Sequence, residues 1–182
     1  MPSVPLPETF ETERLVLRRP VAADAGGIFA AWASDAEVTR YLTWRPHPSE
    51  ATTVALVERY DRAWRTGEGE LAWIIAGKAR PEVPLGCIGI TLDGHAAEVG
   101  FVLARAWHGR GVMTEALRCL LAHALALPDI WRVSAICDTE NLASARVLEK
   151  AGMVREGCLK RVAMFPNRSD TPRDCLVFAA IS

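Results

Sequence analysis

His108-Gly109-Arg110-Gly111 sets two glycines around a cation at the point where the chain changes character. Before it, Glu98 to Leu103 is rich in Val, Phe and Leu and reads as a strand. After it, Met113, Ala116, Leu117, Leu120, Leu121, Ala124 and Leu125 recur at spacings of three and four, which marks one face of a helix. Glycine permits close backbone approach and left-handed dihedrals. The first N–H groups of a helix lack internal partners, and the helix dipole favours negative charge there. A strand, a glycine loop and a helix start make either a phosphate cradle or a tight turn that happens to need two glycines. Two familiar phosphate binders do not fit. The dinucleotide fingerprint requires a third glycine where Met113 and Thr114 stand. The nucleotide triphosphate loop requires Gly-Lys before Ser or Thr, whereas Gly111 is followed by Val112.

The elements around this loop follow from pattern. Residues 1–10 read as an extended lead-in, and Arg14 to Arg19 as an edge-side strand with Leu15 and Leu17 on one face. Arg18 and Arg19 read as solvated strand ends. Asp24 is placed to cap a helix to about Ser34 with Ile28, Phe29 and Trp32 inward. Glu37 to Leu42 is a helical turn, and two prolines make Thr43 to Pro48 a loop. Ser49 starts a helix to Thr66, with Val54, Val57 and Trp64 on its apolar face and Gly67 ending it. Leu71 to Ala76 and Leu85 to Leu92 read as strands with a turn at Pro81 to Pro84, and Asp93-Gly94 joins the second to the Glu98 strand as a hairpin. Trp131 to Cys137 reads as a buried strand. Asn141 caps a short helix with Leu142, Ala145 and Leu148 inward, which ends at Gly152. Met153 to Met164 and Arg173 to Ile181 close the sheet. The fold class is α/β, in the α+β sense of a mixed sheet.

Composition narrows the function. A chain of 182 residues, half of them hydrophobic, is most simply one domain, residues 1–182. A net charge of −1 gives no surface for nucleic acid. The five cysteines are odd in number and contain no Cys-x-x-Cys, so neither a zinc site nor a disulfide framework is expected and the chain reads as reduced and cytoplasmic. No His-x-x-x-His occurs, His123 reads as a helix-face residue, and no metal is expected. The longest apolar stretch, Leu117 to Leu127, is interrupted by Arg118 and His123 and is too short to span a membrane.

The loop resembles that of the GNAT acetyltransferases, in their RimJ/RimL-like branch. The family's acetyl-CoA loop reads Gln or Arg, two residues, Gly, one residue, Gly or Ala. Gly111 matches its centre, while His108 and Met113 depart from the general form in ways the branch tolerates. Three further blocks match: Glu11 to Pro20 with Asp24 after it, Asn141 to Gly157, and Pro172 to Ala179. The resemblance covers nearly the whole chain in order. It implies a fold whose central strands splay to admit the cofactor, acetyl-CoA as cosubstrate, a primary-amine acceptor (a protein N-terminus, a peptide-like compound or a small-molecule amine) and, at family level, a homodimer. It implies cofactor contacts from Gly100, Phe101 and Val102 along the strand. It adds His108, Gly109, Arg110, Gly111, Val112, Met113 and Thr114 in the loop and helix start, and Asn141 and Ser144 beyond. It puts the acceptor beside Trp44, Arg45 and His47, a loop that reads equally as one packing its Trp on the body, and takes Asp174 as a structural residue of the last strand.

The chemistry asks for little. An amine attacking a thioester must be neutral. At pH 7 about a tenth of an α-amine with a pKa near ~8 meets that condition, against well under ~0.1% of a lysine near ~10.4. A base helps, and the departing sulfur needs a proton or hydrogen bond. The resemblance implies Glu98 for the first and Ser144 for the second. Glu98 reads equally as a solvated hairpin residue, and Ser144 as a small residue in the first turn after the Asn141 cap. The sequence therefore points to an N-acetyltransferase working by direct attack in a ternary complex. The alternative is a CoA-binding sensor or interaction module without catalysis.

Overall fold

The computed structural model describes residues 5–182. Of the lead-in expected over residues 1–10, residues 1–4 lie outside that range. The rest is not all lead-in, because Thr9–Glu11 forms a strand, β1, that pairs antiparallel with β2, Leu15–Arg18. Eight strands make one mixed sheet in the order β1-β2-β3-β4-β5-β6-β8-β7. The others are β3 Glu70–Gly77, β4 Arg80–Asp93, β5 Ala96–Leu103, β6 Arg132–Asp138, β7 Val154–Ala163 and β8 Arg173–Ile181. The α/β reading and the expected splay of the central strands both hold.

Strand alternation sorts the sheet into two faces. Leu71, Trp73, Ile75, Ile88, Ile90 and Val99 point one way, and they pack with α4 (Val112–Ala124) and α5 (Leu142–Ala151) into the larger core. Ala72, Ile74 and Cys87 point the other way, towards α1 (Asp24–Ile28) and α3 (Glu50–Thr66). The helix after α1 continues as a π-helical turn, Phe29–Ala33, and Ala36–Thr39 forms the short α2.

Several local expectations need correction. Asp24 does not cap α1. Its carboxylate accepts the Val21 N–H at 2.8 Å and pairs with both terminal nitrogens of Arg18, so Arg18 is a half-buried ion-pair partner and not a solvated strand end. The first turn falls at Lys78–Ala79, and β4 begins at Arg80. The proline run lies inside β4, where the pairing slips from Gly77↔Arg80 to Ala76↔Pro84, because proline has no N–H to give a regular ladder. Val54 is 40% exposed. The buried stripe of α3 is Thr53, Val57, Tyr60 and Trp64, and Val54 is one residue off it. Trp131 precedes β6 and is 63% exposed at the end of the sheet. Leu142 is 56% exposed because, as the first residue of α5, it points back towards the N-terminus and past the packed face. The caps fare better. Asn141 accepts the Ser144 N–H at 3.2 Å, and Gly67 and Gly152 end α3 and α5 in the left-handed region.

Candidate active site

The sheet forks where β5 meets β6. The two strands pair in parallel at only three positions, Ala96↔Arg132, Ala97↔Val133 and Glu98↔Ser134. Beyond Glu98 the β6-facing edge of β5 has no strand partner, so the backbone groups of Val99 and Phe101 there are open to another chain of amides. The fork opens into a cleft of about 1910 Å³ lined from both faces of the sheet. That exceeds the ~300–1,000 Å³ of an ordinary ligand pocket and leaves room for two substrates.

The glycine loop forms one end. Gly109 and Gly111 have φ of +74° and +75°, where side chains other than glycine are strained. Gly111 is the N-cap of α4 and has no side chain to satisfy the helix's first N–H groups. Those groups, on Val112, Met113 and Thr114, stay free of any side-chain cap at the wall of the cleft. His108 donates its Nε2–H to the Leu103 carbonyl at 2.9 Å, which closes the 3₁₀ turn between β5 and the loop. Arg118, Arg146 and Lys150 add positive charge to the same wall. Arg110 does not line the cleft; its guanidinium sits 5.1 Å from the ring of Trp107, which does. The open strand edge, the uncapped helix start and the cations together suit a long anionic ligand that carries amides, as acetyl-CoA does.

The loop is held from a distance. Glu115, in the first turn of α4, accepts the Thr12 hydroxyl at 2.5 Å and the Arg14 N–H at 3.0 Å, and it pairs with the Arg14 guanidinium at 2.7 Å. Arg14 also donates to the Arg110 carbonyl at 3.2 Å. Burial pushes the Glu115 carboxyl up, but these partners outweigh it and hold it below its ordinary value. The matching Glu11 to Pro20 block is thus a brace for the loop.

The other end of the cleft lies on the α1–α3 face. Trp44 and His47 line the cleft, with ring centroids 5.0 Å apart. His47 Nδ1 meets the Thr53 hydroxyl at 2.8 Å, and the His47 N–H reaches the Ala33 carbonyl in the π turn at 2.7 Å. Burial, and then the charge of Arg59, lower the His47 pKa, so it stands as a neutral imidazole at pH 7. Arg45 is exposed and does not line the cleft. Asn167, between β7 and β8, donates to the carbonyls of Thr39 and Trp44, both at 2.7 Å, and Phe165 beside it lines the cleft. The sequence reading missed both, and Phe165-Pro166-Asn167 was the signal available for a structured loop.

Glu98, Gly100, Phe101, Val102, Asn141 and Ser144 all reach the cleft. Glu98 is exposed at the fork, and Ser144 lies beside Cys137 on the α5 side. Burial pushes the Cys137 thiol up to about 11, and burial pushes Cys87 and Cys119 up as well. The cysteines of the cleft are therefore thiols at neutral pH, without the thiolate a covalent route would need. Asp174 accepts from Lys160 and from the Arg161 N–H, which ties β7 to β8. Among the described residues no group of three metal-ligating side chains occurs, and no helix is long and apolar enough to cross a membrane.

Residues 14–154 match the family model described as the acetyltransferase (GNAT) domain. The "Uncharacterized N-acetyltransferase YoaA" of Bacillus subtilis is 28% identical over 174 residues, 94% of this chain and 95% of its own length. The ribosomal-protein-serine acetyltransferase of Escherichia coli is 30% identical over 74 residues, 41% of each chain. Among solved structures, RimL, a ribosomal L7/L12 alpha-N-protein acetyltransferase in complex with coenzyme A, superposes with a TM-score of 0.82 at 21% identity. The superposition covers 96% of this chain and 98% of that one, and at this identity it is a likeness of fold.

Proposed function

The chain belongs to the GNAT acetyltransferase family and is an N-acetyltransferase, and from that premise we propose that it moves an acetyl group from acetyl-CoA to a primary amine by direct attack in a ternary complex. The observation that carries this reading is the β5–β6 fork, with the uncapped α4 start at its mouth. When bound, acetyl-CoA supplies a thioester activated towards an amine. The N–H groups of Val112, Met113 and Thr114 hold its pyrophosphate, and the open edge at Gly100 to Val102 pairs with its amides. Glu98 takes the proton of the amine, directly or through a water. Ser144 gives a hydrogen bond to the departing sulfur. Trp44 and His47 wall the acceptor, which the neutral His47 cannot repel by charge.

An α-amine is the acceptor class best matched to an exposed carboxylate base, because a larger share of it is already neutral at pH 7. The E. coli relative, whose name specifies a ribosomal-protein serine, supports the same class. Thiol release from acetyl-CoA over a panel of peptides with free N-termini, polyamines and aminoglycosides tests the proposal. Amine-dependent release with acetylated product by mass spectrometry is expected. Tight acetyl-CoA binding without release over the whole panel would replace it with a binding module.

A further inference from the structure

Glu70 opens β3 on the acceptor face and has no part in the scheme above. It faces Thr91 on β4, which in turn faces Glu98 on β5, so the three side chains form one row across the sheet. Neighbouring strands are about 4.8 Å apart, which puts the two glutamate backbones roughly 10 Å apart. The Glu70 side chain does not stay in its row. A Cβ built on Gly89 would lie 2.3 Å from its Oε1, so the carboxylate rests over Gly89 in the next row. Gly89 faces Gly100, where a Cβ would meet nothing within 4 Å and φ is not positive. Neither packing nor backbone conformation requires glycine at 100. The bare pair instead leaves a clear floor from the Glu70 carboxylate to the open edge of β5.

Among the described residues nothing donates a hydrogen bond to that carboxylate. Its nearest cation is Arg59 Nη2, at 3.9 Å and largely exposed. Desolvation raises the Glu70 pKa against the pull of Arg59, so the group gains from a cation placed beside it. We propose that Glu70 is the acceptor-binding carboxylate of this enzyme, which receives the amine as its ammonium form over the Gly89–Gly100 floor before Glu98 removes the proton. The inference rests on the acetyl-transfer reading. It adds that the acceptor arrives charged and that the cleft selects cationic amines.

The test measures amine binding without turnover. Spermidine, tyramine and a tripeptide with a free N-terminal serine are titrated by calorimetry into the complex of the protein with CoA. At least one should bind the wild type. Glu70→Gln keeps the shape and removes the charge. Gly89→Ala keeps the charge but drives the carboxylate off the floor, the nearest atoms its Cβ meets all belonging to the flexible Glu70 side chain. Both should weaken that amine by about 10- to 100-fold, the range of a hydrogen bond to a charged group. CoA affinity should stay within about twofold, as expected where a contact is local to the acceptor. Wild-type amine affinity in both variants overturns the proposal. So does a joint loss of CoA affinity and melting temperature, which would make Glu70 a packing residue, and so does failure of every probe to bind the wild type. Amine binding here together with no thiol release in the acetyl-CoA panel would count against the acetyl-transfer reading alone.

Discussion

Glu98 and Ser144 approach the fork from opposite layers, one from the α1–α3 face of the sheet and the other from the α5 side, and this separation lets their proposed roles be told apart. A base matters only while the amine is protonated. Glu98→Gln should therefore lower kcat by about 10²- to 10⁴-fold near pH 6, and the deficit should shrink towards pH 9 as free amine accumulates. Under the same proposal Ser144→Ala touches only the leaving group, so its deficit should not follow the amine. Acetyl-CoA affinity should hold in Glu98→Gln. A wild-type kcat in Glu98→Gln across that range would remove Glu98 as the base. Cys137, beside Ser144, should not rescue either variant, because burial keeps it a thiol up to about 11.

Among the elements, the start of α4 carries the proposed pyrophosphate site because of what it lacks. Gly111 brings no side chain to the cap and sits at φ +75°, where a branched residue is strained. Gly111→Val should weaken acetyl-CoA about tenfold or more by calorimetry, through backbone displacement, while far-UV dichroism shows the helices retained. Unchanged affinity in the folded variant would move the pyrophosphate elsewhere. This loop was readable because its signal is local: two glycines, a strand before and a helical stripe after. Asn141, Gly67 and Gly152 were readable for the same reason, since a cap is a contact within a few residues. Glu70 was not. In the run Gly67-Glu68-Gly69-Glu70 it looks like part of a turn, and only the pairing of β3 with β4 turns it onto the cleft face. Asn167 reaches Thr39 and Trp44 across more than a hundred residues of chain, and no spacing rule covers that distance.

Across the whole molecule, the first strands and the glycine loop are one mechanical unit. Glu115 draws Thr12 and Arg14 onto the opening of α4, and Arg14 carries the contact to the Arg110 carbonyl inside the loop. Arg14 is about half exposed, so the ion pair itself contributes little in salt. The hydrogen bonds to Thr12 and to the Arg14 N–H add more, and the brace together is worth about 1–2 kcal/mol. Glu115→Ala should then lower the melting temperature by roughly 2–8 °C for a chain of this size. It should also weaken acetyl-CoA a few-fold, because the loop loses its outer support. The dependence on pH fixes the cause. The folded carboxyl lies below its ordinary value, so its contribution is complete above the unfolded pKa of about 4.3 and is lost as pH falls through the folded value. The stability gap between wild type and Glu115→Ala should be flat from neutral pH down to about pH 5.5, and should narrow below about 4.3. A gap that stays constant into that acid range would mean that Glu115 stabilises the fold by packing, with no part played by its charge.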